Sequence, residues 1–297
     1  MGIKKKMTWF DYLLILIFLV ILLMTFYPFL NVLAISLNDS LETIKNINII
    51  IPNKPTMANY NYVFRDSGLV NAALLSVART VIGAFISVMA TSMLAYTLSR
   101  KEFIARRLFT IIFVITMYVG GGMIPTYLVM REYGLVNSFW IYVIPSVLSA
   151  YHVILVKTFV ESIPKELEES ARIDGASTMK VFLSIILPLS LPIAATLAIY
   201  ASNSQWNSWW DNQLYNAARP DLTTLQLLLY RYLNQADKLL QQLYEDHTQE
   251  ITDLEIQMTT RGLKMTVTMI SVIPILCVYP FMQRFLIKGI MVGAVKG

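Results

Sequence analysis

Hydrophobic positions fall into six long runs separated by polar stretches along the 297 residues. The first, Tyr12 to Leu37, holds no charge over 26 residues. At about 1.5 Å per helical residue this is enough to cross a hydrocarbon layer of about 30 Å. Lys4, Lys5 and Lys6 before it, with Val32-Leu-Ala34 inside it, invite a secretory-leader reading. A leader core is only about 7–15 residues, so the run predicts a retained span over 12–37. The other runs predict spans over 69–98, 108–130, 139–160, 181–202 and 265–287. The fold class that follows is an all-α membrane protein with six transmembrane helices, one transmembrane domain over 1–297.

Breaks inside the runs matter as much as their lengths. Gly120-Gly-Gly122 and Pro125 interrupt the third run. Two readings fit: irregular backbone beside a cavity, or close helix packing through small residues. Pro188 and Pro192 predict a bent entry to the fifth span.

Between the fourth and fifth runs lies the polar stretch Ser162 to Ser177. Ser162 is a candidate cap with Pro164 in the first turn, and Glu166, Glu168 and Glu169 suit the positive end of a helix dipole. Gly175 supplies the stop. Ile163, Leu167, Ala171 and Gly175 recur every four residues and predict one apolar or small face. A second helix is expected from Ser177. Helix, glycine and helix make a compact knob over 162–178 that fits a pocket on a partner; the alternative is an amphipathic helix lying on the bilayer.

Composition confirms the membrane class: 56% of residues are hydrophobic and 14% charged, where soluble domains carry about a quarter charged. The net charge of +5 reports topology rather than nucleic-acid binding. With the N-terminus inside, the inner segments and span ends hold 14 Lys or Arg against seven Asp or Glu. The rule relating basic loops to the cytoplasm then puts both termini and the 162–178 loop in the cytoplasm.

The single cysteine, Cys277, rules out an internal disulfide, and His152 and His247 lack companion ligands, so no metal site is expected. No phosphate loop and no nucleophile–base constellation occurs, so no catalytic residue and no bound cofactor is expected. The six spans hold no Asp or Glu, whereas ion-coupled carriers keep ionisable groups there. Arg79 is the one charge deep in a span. It is expected to snorkel to the surface or pair with a partner subunit, rather than face the substrate path.

The 62-residue segment 203–264 is read as an extracellular loop with a helical segment. At its start Asn203, Trp206, Asn207, Trp209, Trp210 and Asp211 gather indoles, amides and a carboxylate. Tryptophans anchor at interfaces; they also stack on sugar rings while amides and carboxylates bond hydroxyls, which makes these six a candidate substrate path. Helical periodicity runs from Leu222 to Met258, with an acidic stretch from Glu245 to Glu255; this helix suits docking of a substrate-delivery protein or packing on the chain's own bundle.

Glu169, Ala171, Gly175, Ile185, Leu187 and Pro188 reproduce the Glu-Ala-Ala, three residues, Gly, nine residues, Ile-x-Leu-Pro spacing, with Ser170 in place of the second-position alanine. Six such matches arise by chance roughly once in 10⁷ starting positions. The stretch resembles the coupling loop of ABC importer permeases. Together with Gly120-Gly-Gly-Met-Ile-Pro-Thr126, Trp206-Asn-Ser-Trp209, Tyr279-Pro-Phe-Met-Gln283 and Gly293-Ala-Val-Lys-Gly297, it makes the chain similar to sugar permeases of the carbohydrate uptake 1 family, oligosaccharide and polysaccharide branch. That resemblance implies a type I ABC importer permease fold in a bacterial cell membrane. It further implies a second homologous permease, two cytoplasmic ATPase subunits that use the ATP, and an extracellular sugar-binding protein. Glu169, Ser170, Ala171, Asp174, Gly175, Ile185, Leu187 and Pro188 would then couple the permease to an ATPase. The competing readings are a stand-alone secondary carrier of a small polar solute and a non-transporting scaffold.

Overall fold

The computed structural model describes residues 8–39, 42–45, 50–65, 67–234, 261–281 and 283. Lys4–Lys6, His247, the acidic stretch, the helical pattern beyond 234 and the C-terminal tail lie outside the described residues. Among those described, helices account for all regular structure except one isolated antiparallel bridge between Asn38 and Pro55.

The described helices of six residues or more are α1 (Trp9–Ser36), α2 (Ala58–Arg65), α3 (Ser67–Ser99), α4 (Arg106–Tyr118), α5 (Met123–Glu132) and α6 (Ala150–Val160). They continue with α7 (Glu166–Ile173), α8 (Thr178–Leu189), α9 (Leu191–Asn207), α10 (Trp210–Tyr215), α11 (225–234) and α12 (Arg261–Phe281). α1, α3 and α12 are long and apolar enough to cross a membrane. Two bent pairs add to these: the 3₁₀ turns over Phe139–Ser146 with α6, bent by 50°, and α8 with α9, bent by 80°. The stretch 108–130 is met by α4 and α5, either side of the glycine break.

Each break has a local cause. Gly122 sits at φ +80°, a conformation that needs glycine, and caps α5. A Cβ at Gly120, Gly121 or Gly122 would meet nothing within 4 Å, so close packing inside this chain does not explain the triple glycine. Pro145 falls in the second 3₁₀ turn, ahead of α6. In α8 the turn Phe182–Ile186 widens to π geometry just before Pro188, whose missing N–H leaves the Ser184 carbonyl without its usual donor. Pro192 then denies the Pro188 carbonyl in the same way, and the axis turns at the buried Ser190 between them.

The chain divides into two compact units. In the first, Met1–Leu69 with Leu229–Pro274, the loop after α1 folds around Asn38. Its side chain donates to Thr43 Oγ1 at 3.0 Å and accepts from the Lys54 amide at 2.9 Å. Asn59 of α2 donates to the carbonyls of Ser36 and Asn38 at 3.2 and 3.1 Å. The polar loop is thus locked by amide side chains rather than by apolar burial. Met265 of α12 packs on Ala34 and Ile35.

In the second unit, Val70–Leu228 with Ile275–Gly297, a core of Ala95, Tyr96, Val156, Val160, Val181, Phe182, Ile186, Ile193 and Leu197 joins α3, α6, α8 and α9. Ile163, Ala171 and Ala176 of the polar loop pack on its edge. The loop is therefore seated on the helical core.

Candidate functional site: the coupling loop and the outer aromatic segment

α7 does not begin as the sequence suggests. Ser162 is not its cap: its hydroxyl donates to the Phe159 carbonyl at 2.6 Å, serving the exposed end of α6. Lys165 is the capping residue, and Pro164 lies before the helix instead of in its first turn. The end follows the expected chemistry. Gly175 is at φ +78°, its amide donates to the Arg172 carbonyl at 3.0 Å and the Ala176 amide to the Ala171 carbonyl at 2.9 Å, the two-bond arrangement of a glycine-terminated helix. Ser177 then caps α8 through the Lys180 amide at 3.3 Å.

The eight coupling candidates split by side. Ala171, Ile185 and Leu187 pack on the core. Glu169, Ser170, Asp174, Gly175 and Pro188 are exposed. The predicted face of Ile163, Leu167, Ala171 and Gly175 is corrected: Leu167 and Gly175 are exposed, and Glu168 takes the inward position at 4% exposed. Burial of a carboxylate needs paired charge and hydrogen bonds. Glu168 has both: an ion pair with Arg100 at the end of α3, another with Arg172 at 2.9 Å, and the Tyr96 hydroxyl donating at 2.9 Å. Ile173, at the tip of α7, is 86% exposed.

At the other end of α9 stand the substrate-path candidates. α9 alone is 17 residues, about 25 Å, so the two sets are separate sites. The helix runs on to Asn207, which places Asn203, Trp206 and Asn207 on its last turns, ahead of any loop. Asn207 Nδ2 donates to the carbonyl and to the side-chain oxygen of Asn203, both at 2.9 Å. Trp209 and Trp210 meet edge to face at 5.5 Å, with Trp210 exposed. One turn before Asn203, exposed Tyr200 stacks on His152 at 5.7 Å and 16°, extending the same polar and aromatic face.

Arg79 neither snorkels nor awaits another subunit. It is 2% exposed and paired within its own chain. Its guanidinium donates to Asp211 Oδ2 at 2.5 Å, to Asp211 Oδ1 and the Ser208 carbonyl at 3.3 Å, and to Gln205 Oε1 at 3.1 Å, and it lies 4.4 Å over the Tyr142 ring. Asp211 is thereby committed to Arg79, with Oδ1 also accepting from the Asn212 amide at 2.8 Å. Gln205 donates onward to the Tyr142 carbonyl at 2.9 Å and Ser146 Oγ at 2.7 Å. Gln205, Tyr142 and Ser146 were not singled out in the sequence; the available signal was an Arg alone in an apolar run and an Asp at the outer end of another span. Among the described residues no group of three or more His, Cys, Asp or Glu is arranged to hold a metal.

No family model matches the chain. Relatives do. The chain is 34% identical over 291 residues to a polygalacturonan/rhamnogalacturonan transport system permease protein of Bacillus subtilis (strain 168), covering 97% of this chain and 98% of that protein. It is 29% identical to an arabinooligosaccharides transport system permease protein of Halalkalibacterium halodurans, covering 99% of each. A solved bacterial ABC transporter involved in import of the acidic polysaccharide alginate superposes with a TM-score of 0.80 at 23% identity, over 96% of this chain and 99% of that one, which shows a shared fold. With the relatives matched nearly end to end and an all-helical membrane fold in common, the chain belongs to the permease components of carbohydrate ABC transport systems.

Proposed function

We propose that the chain is the non-catalytic permease subunit of an importer that moves an oligosaccharide across the cell membrane. It works beside a second homologous permease, two cytoplasmic ATPase subunits and an extracellular sugar-binding protein. Both termini face the cytoplasm, as does the 162–178 loop. Named oligosaccharide and polysaccharide permeases among the relatives support the substrate class.

The observation that carries the reading is the seating of α7. Ile163 ahead of it, Ala171 and the paired Glu168 fix it to the core, while Ile173, Leu167, Glu169, Ser170 and Asp174 are presented outward. An apolar tip ringed by carboxylates and backed by a rigid seat suits a cleft on an ATPase. Closure of the ATPase dimer on ATP pushes α7. The push turns α8 and α9 with the core they share, and the substrate path opens to the outside. Trp206, Trp209 and Trp210 offer aromatic faces to the arriving sugar, and Asn203 and Asn207 offer amides.

Gly175 provides the test. A Cβ there meets nothing within 4 Å, so the chain itself has room for a larger residue. Gly175→Trp fills the docking surface and strains a left-handed backbone by about 1–2 kcal/mol. Gly175→Asn tolerates that conformation and stays small. Membrane insertion should survive both changes. ATP-dependent sugar uptake should vanish for Gly175→Trp and persist for Gly175→Asn. Uptake retained by Gly175→Trp would overturn docking at this loop.

A further inference from the structure

Glu168 stands next to the signature position Glu169 yet points the other way. It is the buried acid of the second unit's polar loop, and three groups converge on it: Tyr96 from the last turn of α3, Arg100 just beyond it, and Arg172 from its own helix. Arg100 also lies 4.5 Å over the Tyr96 ring, so the guanidinium is held by a carboxylate and an aromatic face together. α7 also touches the core at Ala171, a small apolar contact that resists sliding weakly. The ion-paired carboxylate is directional. It fixes the distance between α7 and the end of α3. Beside it is a cavity of about 540 Å³ lined by Met93, Tyr96, Arg100, Arg172, Met179 and Phe182, so that flank has little side-chain packing to keep α7 and α3 in register.

We propose that Glu168 is a positioning residue that clamps the first coupling helix to the end of α3, so that displacement of the loop is handed to α3 as well as to α8 and α9. This rests on the ATPase-docking reading above. The clamp belongs to transmission and not to docking, because Glu168 faces the bundle while Glu169, Ser170 and Asp174 face outward. Glu168→Gln keeps size and hydrogen-bonding capacity but removes the charge that both arginines pair with. Glu168→Asp keeps the charge on a shorter stem.

The experiment uses the whole importer, co-expressed and reconstituted in vesicles with its binding protein. ATPase retention, ATP hydrolysis and sugar imported per ATP are measured. Glu168→Gln should retain the ATPase subunits and continue to hydrolyse ATP while sugar imported per ATP falls by about tenfold or more. Glu168→Asp should recover part of that loss. An unchanged ratio in an assembled Glu168→Gln complex overturns the clamp, and so does loss of the ATPase subunits from that variant, which would make Glu168 a docking residue. If the wild-type complex carries no ATPase, the docking reading itself has failed, whatever the variants do.

Discussion

Arg79 shows how one residue can tie remote stretches together. A lone guanidinium in a span is expensive, and the structure offsets the cost with a carboxylate, an amide, a carbonyl and an aromatic face. Removing one partner of a buried pair typically costs about 3–5 kcal/mol, because the other charge is stranded. Asp211→Asn should therefore lower the melting temperature of the purified complex, and Arg79→Met combined with Asp211→Leu should recover most of the loss. A single variant as stable as the parent would contradict the pairing. Arg79 was visible in the sequence as the one charge deep in a span and Asp211 as the carboxylate of the outer aromatic segment, but nothing local relates positions 132 apart. Glu168 was half legible, since its spacing to Arg172 is the favourable four-residue one. The partner on α3 was not, and a carboxylate therefore took an inward position where the four-residue pattern had put Leu167.

At the scale of elements, the three described helices long and apolar enough to cross a membrane fall on apolar runs, and proline and glycine stand at the described breaks. The 80° turn between α8 and α9 was readable from Pro188 and Pro192; its size was not, since it also depends on the π turn ahead of Pro188. The start of α7 was misread because Ser162 serves the end of the preceding helix, a competition that composition alone does not resolve. Helix contact imposes a further constraint at Gly83 of α3. A Cβ there would stand 2.7 Å from Gln205 Nε2. Gln205 has little freedom to retreat, because Arg79, Tyr142 and Ser146 all hold its amide. Gly83→Ala should destabilise the protein by about 1–3 kcal/mol through overpacking, read as a lower denaturation midpoint. Gly120→Ala, where a Cβ has open space, should not show that loss. Equal effects at the two glycines would contradict the packing account.

For the whole molecule, the two clusters at opposite ends of α9 suggest a division of labour. At one end α7 is braced on the core by Glu168, which suits the proposed push, and at the other Arg79 braces Gln205 and Asp211 beside the amides and indoles. No phosphate loop lies in the chain, so on this account energy arrives from subunits that grip α7, and sugar arrives where Trp206, Trp209 and Trp210 gather. The resemblance carried by Glu169, Ala171, Gly175, Ile185, Leu187 and Pro188 made the family legible before any geometry was considered, because that spacing is specific. The braces behind those residues were not legible, because they are long-range pairings. The most direct test is to co-express the chain with its neighbouring transport genes, purify it in mild detergent and measure ATP hydrolysis with and without binding protein and candidate oligosaccharides. The account predicts a complex holding a second permease and ATPase subunits, with hydrolysis stimulated by the sugar-loaded binding protein. A chain that purifies alone and moves solute on an ion gradient would contradict it.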